Sequence, residues 1–372
     1  MKKLLMIFTN YRELGGEAIA FQNEYKLFNE NYEVKKLIFN NNYINFNSLI
    51  GMVTNNNPES VYTLKKELLL FKPDVVYLGN LWFQGSLGIL KYLLDNEFKV
   101  ILKLHNYRFD CINGIHFRRN NICHDCNIRG NIKGVINKCY KDSYLQSAAI
   151  TNHSTKLFKL LKHKSLKILT LTNFQKNYLI NLGIDSKKIY IFENYIEDNN
   201  SFINEKSNYF ISVGRLEKEK GVEEIVKVWK NLNNSKYKLL IVGTGPEESK
   251  IRNLSSGTNI QMFGKLSNAE TLNLVVKSKM FIFNSKLYEG QPTVLSEASI
   301  HGIPSIFPNS GGLNEFFPKN YKFMFEPGEL EQKIDKALKS NINNLGSEVK
   351  KYFKQKISKE ILLNKFAEII DD

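Results

Sequence analysis

Two glutamates eight positions apart are the side chains of this 372-residue chain whose spacing most strongly suggests chemistry. Glu289 follows the apolar run Met280–Phe283, which is typical of a buried strand, and Glu297 lies in a predicted helix from Thr293 to Ile300. One carboxylate should therefore lie at a helix N-terminus and the other about two turns inside. Helix N-termini suit phosphates, and carboxylates accept sugar or ribose hydroxyls. The arrangement suits a nucleotide-sugar better than a bare nucleotide.

Two cations follow a second predicted strand. Arg215 and Lys220 lie in the loop between Gly214 and Gly221, after the strand Tyr209–Val213 and before a helix. Arg offers a planar fork of donors and Lys a point charge, and both match a diphosphate. A solvated turn of mixed charge would have the same composition.

Further glycine-rich turns end other predicted strands, at residues 242–246 and 309–315. Tight turns without a ligand would carry the same glycines. Ligands of parallel sheets bind outside the carboxyl ends of the strands, so the convergence of these loops predicts a binding cleft.

The first half of the chain has its own candidates. Gly16, in the segment Leu14–Glu17 after the first strand, would let the backbone approach a ligand and begin a helix, although a plain strand-to-helix turn would look the same. His105 follows the strand Val100–Leu104, at the end where a site is expected.

These residues require parallel sheets to position them, and both halves alternate apolar strands with amphipathic helices. We therefore predict an α/β fold with two Rossmann-like domains, residues 1–200 and 201–355, followed by a C-terminal helix in 356–372 that packs back toward the first domain. The polar stretch from Glu197 to Asn208 predicts the linker.

The net charge of +15 is concentrated in residues 101–188, which contain 16 Lys and Arg and only 4 Asp and Glu, a net charge of +12. This basic zone indicates an anionic partner or, alternatively, a solvated surface. Thr155–Lys164 predicts a basic amphipathic helix that lies on an anionic membrane. No apolar run is long enough to span a bilayer, and the N-terminal run resembles a first strand more than a signal peptide, so we expect a cytoplasmic protein.

All four cysteines lie close together in the chain: Cys111, Cys123, Cys126 and Cys139. The central pair has C-x2-C spacing, so four thiolates could hold a structural zinc, whereas disulfides are not expected in a reducing compartment. Ordinary buried cysteines without a metal are the alternative. We expect a folded insertion of about 106–145 that shapes one side of the cleft.

Together these motifs resemble the glycosyltransferases of family 4, which are retaining enzymes of GT-B fold, and the cysteine segment resembles an insertion found in a subset of them. The resemblance extends from residue 4 to about 316. It rests on three groups of residues: Gly15 and Gly16 with His105; Gly214–Leu216 with Lys220 and Gly221; and Glu289, Gly290, Glu297, Gly311, Gly312 and Glu315. Glu193–Glu197 departs from the Pro-Asn-Gly that the family often has there.

The resemblance implies a role for each matching residue. Arg215 and Lys220 would hold the donor diphosphate, Glu297 the ribose hydroxyls, and Glu289 with Gly290 the donor sugar. Gly16 would reach the phosphates or the acceptor, and His105 would lie beside the transferred sugar. No Asp-x-Asp motif is present, which agrees with catalysis that needs no metal, and the leaving phosphate would deprotonate the acceptor.

The resulting hypothesis is a hexosyltransferase that works at the inner face of the cell membrane on a lipid-linked or glycan acceptor in surface polysaccharide synthesis (capsule, O-antigen or exopolysaccharide). One alternative is a GT-B enzyme with a soluble acceptor. Another is a basic, zinc-containing nucleic-acid-binding protein. The nucleic-acid-binding alternative does not account for the glutamates and the phosphate loops. The alternation of basic and aromatic residues that is typical of single-strand binders is also absent, so we expect no nucleic-acid partner.

Overall fold

The computed structural model describes residues 1–11, 15–42, 45–198, 207–342 and 344–372. Contacts divide the chain into two units. The N-terminal unit comprises Met1–His116, Cys123–Tyr195 and Lys359–Asp372, and the C-terminal unit comprises Phe117–Ile122 and Ile196–Ser358. Most of the predicted linker lies outside the described residues.

The N-terminal unit contains a parallel six-stranded sheet in the order β2-β1-β3-β4-β7-β8. Its strands are β1 (Lys3–Asn10), β2 (Glu33–Asn40), β3 (Val75–Leu78), β4 (Val100–Lys103), β7 (Leu166–Thr170) and β8 (Ile189–Ile191). Strands β5 (Phe117–Arg118) and β6 (Asn121–Ile122), which the contacts assign to the C-terminal unit, form a small antiparallel hairpin. The apolar runs of β1, β3 and β4 are buried because helices cover both faces of a parallel sheet.

Nine helices are described in this unit. They are α1 (Gly16–Phe28), α2 (Phe46–Thr54), α3 (Pro58–Phe71), α4 (Leu87–Asp95), α5 (Asp125–Arg129), α6 (Ile132–Ile136), α7 (Tyr144–Leu161), α8 (Asn173–Asn181) and α15 (Lys359–Asp371). The C-terminal helix predicted within residues 356–372 is α15, and it begins at Lys359, because Ser358, with an extended ψ of 148°, ends the preceding helix. Phe366 of α15 is fully buried and stacks on Phe28 of α1 at 4.0 Å between ring centroids.

The C-terminal unit contains a second parallel six-stranded sheet, in the order β11-β10-β9-β12-β13-β14. Its strands are β9 (Tyr209–Val213), β10 (Lys238–Val242), β11 (Ile260–Met262), β12 (Met280–Ile282), β13 (Ser305–Pro308) and β14 (Met324–Phe325). Its helices are α9 (Val222–Asn231), α10 (Glu248–Ser255), α11 (Asn268–Lys277), α12 (Thr293–Ile300), α13 (Leu330–Lys339) and α14 (Leu345–Ile357). The α/β class with two parallel sheets is confirmed.

The strand order of each sheet determines where a ligand can bind. In the C-terminal unit β9 pairs with β10 on one side and with β12 on the other. In the N-terminal unit β1 pairs with β2 and β3 in the same way. At such a switch in strand order, ligands of parallel sheets bind outside the carboxyl ends of the strands. No described helix is long and apolar enough to cross a membrane.

Candidate active site

The glycine loops after β9 and β10 support each other. Gly243 has φ +138°, and a Cβ there would overlap the carbonyl oxygen of Gly214. The N–H of Gly214 donates to Val242 O at 3.0 Å, and Leu216 N donates to Thr244 O at 2.9 Å. Only glycine permits so close an approach of two backbones. The loop that carries Arg215 and Lys220 is therefore braced by the neighbouring loop.

Lys220 and Glu289 are in direct contact. Lys220 Nζ donates to Glu289 Oε1 at 2.6 Å, and Ser285 Oγ donates to the same oxygen at 2.6 Å. Both charged side chains are largely buried, with exposed fractions of 21% and 15%. The residue predicted to hold the diphosphate and the one predicted to contact the sugar are thus brought together at the edge of the sheet.

The backbone around Glu289 is fixed by the loop after β13. Gly312 N donates to Glu289 O at 2.8 Å. Gly311 has φ +61°, and a Cβ there would overlap that same carbonyl oxygen. The glycine pair after β13 therefore has a steric reason, which is the close approach of its backbone to the loop that contains Glu289 and Gly290.

Arg215 has a different partner. Its side chain is 65% exposed, and its Nη1 donates to Glu217 Oε1 at 2.6 Å. The structure therefore does not pair Arg215 with Glu289 as it pairs Lys220. An exposed guanidinium held by one carboxylate retains most of its donors for a ligand.

Glu297 is the fifth residue of α12, so it lies in the second turn, slightly closer to the N-terminus than predicted. Burial raises its pKa to about 7, while a hydrogen bond with the Asn268 side chain acts in the opposite direction. The helix begins after Pro292 without a side-chain cap, so its first N–H groups are not satisfied by a capping side chain. Such a terminus is suited to an anion.

On the N-terminal unit, Gly16 is the first residue of α1, and Gly15 precedes it as the N-cap with φ −119°. Among the described residues, no atom lies within 4 Å of a Cβ built on Gly15, and no side chain caps the helix. Leu14, the first residue of the predicted glycine segment, lies outside the described residues.

His105 follows β4, as predicted, and lines a small cavity of about 50 Å³ with Asn80, Trp82 and Asn106. Burial and the neighbouring Lys103 hold the pKa of His105 well below its usual range, so the imidazole is neutral at physiological pH. Lys103 is itself buried and forms an ion pair with Glu24 of α1. A neutral imidazole can donate or accept a hydrogen bond.

Three residues at or next to this cavity were not identified from the sequence: Glu17 and Arg108, which line it, and Tyr11, which hydrogen-bonds to both. Tyr11 OH donates to Glu17 Oε2 at 3.2 Å, and Arg108 Nη1 donates to Tyr11 OH at 3.2 Å. Burial raises the pKa of Glu17 to about 7, while Arg108 and Tyr11 act in the opposite direction. Position offered a signal, because Glu17 directly follows the glycine pair and Arg108 follows His105 by three residues.

The four cysteines are not gathered into a metal site in this structure. Within the described ranges, no group of three or more His, Cys, Asp or Glu side chains could hold a metal ion. Burial raises the pKa of the Cys111 thiol to about 12, and Cys126 and Cys139 pack against an apolar cluster around Trp82. A structural zinc held by these four cysteines stays a prediction.

The predicted basic amphipathic helix over Thr155–Lys164 is the last part of α7 and the turn after it. Leu157 and Leu161 are buried against the unit's own core. Their periodicity therefore reflects packing within the unit, and this helix does not offer its apolar stripe to a bilayer, contrary to the prediction. Exposed large apolar side chains lie instead on α2, α5 and α6 and at the start of α7, and others lie on α3 and at Met1 and Phe263.

Comparison with known proteins identifies the second half of the chain. Residues 194–358 match the family described as "Glycosyl transferases group 1". This segment is similar to the glycosyltransferase group 1 domain. It contains Arg215, Lys220, Glu289 and Glu297, so each predicted donor-side residue of the C-terminal unit lies inside the matched region.

Relatives of the chain are named as glycosyltransferases. AmsD of Erwinia amylovora, an amylovoran biosynthesis glycosyltransferase, is 28% identical over 149 residues, covering 38% of this chain and 42% of that protein. CapM of Staphylococcus aureus, a capsular polysaccharide biosynthesis glycosyltransferase, is 27% identical over 222 residues, covering 54% and 57%. The matched segments therefore span less than two thirds of the length of these relatives.

Solved structures share the fold across both units. HepE of Anabaena, solved with UDP and glucose, superimposes with a TM-score of 0.67 at 12% identity, covering 100% of both chains. WaaG, a glycosyltransferase involved in lipopolysaccharide biosynthesis, gives a TM-score of 0.64 at 14% identity, covering 99% of both. The GT-B fold predicted from the sequence is confirmed.

Proposed function

We propose that the protein is a retaining, family 4 hexosyltransferase that moves a sugar from a nucleotide-sugar to a lipid-linked or polysaccharide acceptor in surface polysaccharide synthesis. The observation that carries the proposal is the contact between Lys220 and Glu289. It places a cation beside a carboxylate in the loops that follow two adjacent strands, within the segment that matches the glycosyltransferase group 1 family. The printed functions of AmsD and CapM, in amylovoran and capsule synthesis, support the polysaccharide part.

On the donor side, Lys220 and Arg215 hold the diphosphate, assisted by the uncapped N-terminus of α12. Glu297 accepts the ribose hydroxyls. Glu289 and Gly290 contact the donor sugar, and Gly16 approaches the phosphates or the acceptor. Lys220 already donates a hydrogen bond to Glu289, so its ammonium group is held in position before the donor binds. When the diphosphate binds, it replaces Glu289 as the anionic partner of this preorganised cation.

The reaction breaks the bond between the sugar's anomeric carbon and the diphosphate and forms a bond from that carbon to the acceptor oxygen on the same face. The departing phosphate takes the acceptor proton. Positive charge develops on the sugar ring and negative charge on the diphosphate, so fixed cations on the phosphate side lower the barrier without a catalytic metal. His105, kept neutral by burial, hydrogen-bonds the transferred sugar and adds no positive charge beside it.

We also propose that the protein is cytoplasmic and binds the anionic inner face of the cell membrane. The support is a set of exposed large apolar side chains on helices that lie against one another. Asn152 Nδ2 of α7 donates to Val53 O of α2 at 2.6 Å, and Asn131 Nδ2, just before α6, donates to Thr155 Oγ1 of α7 at 3.3 Å. The exposed side chains are Phe46, Leu49, Val53, Ile128, Ile132, Ile136, Tyr144 and Leu145.

Helices α5, α6 and α7 lie in the basic zone of the sequence, whereas α2 precedes it, and the basic zone adds attraction to anionic lipid. We call the eight exposed apolar side chains the apolar helix surface. A membrane location would bring the enzyme to an acceptor that is carried on a lipid.

Thermal-shift screening of UDP-, GDP- and ADP-sugars tests the proposed function. A ligand that binds only the folded state raises the melting temperature by mass action, so one nucleotide class should stabilise the protein in a concentration-dependent way. The same protein should then hydrolyse that nucleotide-sugar slowly or transfer its sugar to membrane extracts. Absence of stabilisation by every nucleotide-sugar at millimolar concentration would contradict the proposal.

A further inference from the structure

Arg108 lacks the partners that a buried guanidinium normally has. It has one hydrogen bond, from Nη1 to Tyr11 OH at 3.2 Å, and its Nε is buried without a partner among the described residues. A buried donor without an acceptor destabilises the fold, and more strongly when the group is charged. A guanidinium used only to stabilise the fold would be expected to form a two-pronged pair with a carboxylate.

The nearest carboxylate does not satisfy Arg108. Glu17 is linked to it through Tyr11, whose hydroxyl accepts from Arg108 and donates to Glu17. Arg108 also lies over the Tyr11 ring, with its central carbon 5.9 Å from the ring centroid. The phenol thus orients the guanidinium and leaves most of its donors unused.

Arg108 also provides the positive charge of the cavity. The other lining residues that could be cationic are His105, His153 and Lys103. Burial keeps both histidines neutral, with the pKa of His153 lowered to about 3, and Lys103 is already paired with Glu24. Glu17 is the one described carboxyl that lines the cavity, and burial raises its pKa to about 7. A small anion that enters would meet a guanidinium that forms no direct ion pair with a carboxylate among the described residues.

The size of the cavity limits what can enter. At about 50 Å³ it can hold a few waters, since one water needs about 10–15 Å³ by this measure. A carboxylate or one phosphate has that size, but a sugar ring does not. The cavity therefore fits a charged group that projects from a larger molecule, and it lies beside His105, where the acceptor side is proposed to be.

We infer that Arg108 binds a carboxylate or phosphate carried by the acceptor, and that Tyr11 and Glu17 hold the guanidinium in position before the acceptor arrives. That the bound molecule is the acceptor rests on the proposed function. That it carries an anionic group is argued from the cavity alone. The anion has two sources, an acidic sugar of a glycan or the phosphate of a lipid carrier, and these share the chemistry that a guanidinium recognises.

Binding measurements on the full chain test this inference without requiring transfer. Calorimetric titration would use three probes: methyl glucuronide, the uncharged methyl glucoside, and geranyl diphosphate. The diphosphate titrations would use proteins that also carry Lys220→Ala, so that the proposed donor site does not contribute. The variants are Arg108→Gln and the charge-retaining Arg108→Lys, and Arg129→Gln changes an exposed arginine of α5 as the matched control.

At least one anionic probe should bind wild type about tenfold or more tightly than methyl glucoside, as expected for a charge-assisted bidentate contact. Arg108→Gln should abolish that preference, Arg108→Lys should retain part of it, and Arg129→Gln should retain all of it. Loss confined to the glucuronide would identify an acidic glycan as the source, and loss confined to the diphosphate would identify a lipid carrier.

Three results would overturn the inference: no preference for either anion in wild type, an unchanged preference in Arg108→Gln, or an equal loss in Arg129→Gln. Donor binding in the same variants, followed by thermal shift, separates this inference from the proposed function. Normal donor stabilisation with no anion preference refutes only the role of Arg108. An anion preference that depends on Arg108, with no nucleotide-sugar binding, refutes only the transferase.

Discussion

Lys220 and Glu289 lie 69 residues apart in the chain, and the lysine ammonium donates a 2.6 Å hydrogen bond to the glutamate carboxylate. The two residues come from loops that follow adjacent strands, β9 and β12, so the sheet order brings them together. The contact couples the proposed diphosphate and sugar positions, and it makes separate predictions for the two side chains.

Lys220→Ala should weaken donor binding about ten- to a hundredfold, because a charge-assisted hydrogen bond to a phosphate is worth about 1.5–3 kcal/mol. Lys218→Ala is the matched control, since Lys218 lies in the same turn but is exposed. Isothermal titration with the nucleotide-sugar chosen by the screen would measure both. Wild-type affinity in Lys220→Ala would remove this lysine from the diphosphate site.

Glu289→Ala should lower kcat by about tenfold or more while the dissociation constant for donor changes less. The variant loses a contact to the reacting sugar, but it also releases Lys220 from its resident carboxylate and leaves the ammonium free for the diphosphate. Steady-state kinetics with separate measurement of donor affinity would resolve the two effects. A rise in the dissociation constant without a change in kcat would assign Glu289 to binding alone.

Nucleotide affinity should rise with pH around neutrality. Burial raises the pKa of Glu297 to about 7, and only the ionised carboxylate can accept hydrogen bonds from both ribose hydroxyls. Titrations from pH 5.5 to 8.5 should show tighter binding as Glu297 loses its proton. Glu297→Gln should bind more weakly at pH 8 and lose the pH dependence, whereas Glu331→Gln, at an exposed site in α13, should behave as wild type.

The Glu297 carboxyl should lower the stability of the free protein as pH rises, whereas it should raise the affinity for nucleotide. The pKa of Glu297 is higher in the folded protein than in the unfolded chain, so the unfolded state releases its proton first as pH rises. The contribution of this group to the free energy of unfolding should therefore fall between about pH 4.5 and 7. Denaturant unfolding without ligand should find Glu297→Gln more stable relative to wild type at pH 8 than at pH 5.

Membrane association should depend on the apolar helix surface. Ile132→Asp with Ile136→Asp places two charges on α6, and this double variant should float with anionic liposomes much less than wild type. Leu69→Asp with Leu70→Asp is the control, because these leucines are also exposed but lie on α3. If wild type partitions equally into neutral and anionic liposomes, or if both double variants lose binding alike, the surface has no such role.

The sequence predicted the sheets well because their strands are continuous apolar runs. Leu4–Phe8 and Met280–Phe283 are continuous apolar runs, which are typical of buried strands in a parallel sheet. Since the carboxyl ends of parallel strands lie at one edge of the sheet, the runs also predicted which loops lie close together. Arg215, Lys220 and Glu289 could be chosen as donor-side candidates because they lie in short glycine-containing loops, and Glu297 because of its spacing from Glu289. Their roles stay predictions.

What the sequence did not predict depends on tertiary contacts. Tyr11, Glu17 and Arg108 meet only because the ends of β1 and β4 and the start of α1 converge, and no spacing in the chain records that. Thr155–Lys164 shows the reverse error: Leu157 and Leu161 repeat with the helical period in the same way whether the helix packs on its own core or on a bilayer.

The position of α15 also has a consequence for synthesis. Phe366 completes the aromatic core around Phe28, yet the sequence of the C-terminal unit, Ile196–Ser358, lies between these two residues in the chain. Domains usually fold in the order in which they leave the ribosome. Here the unit made first cannot bury Phe28 fully until the unit made second has been translated and Phe366 has emerged, so the nascent N-terminal unit waits for its last helix with an apolar groove exposed.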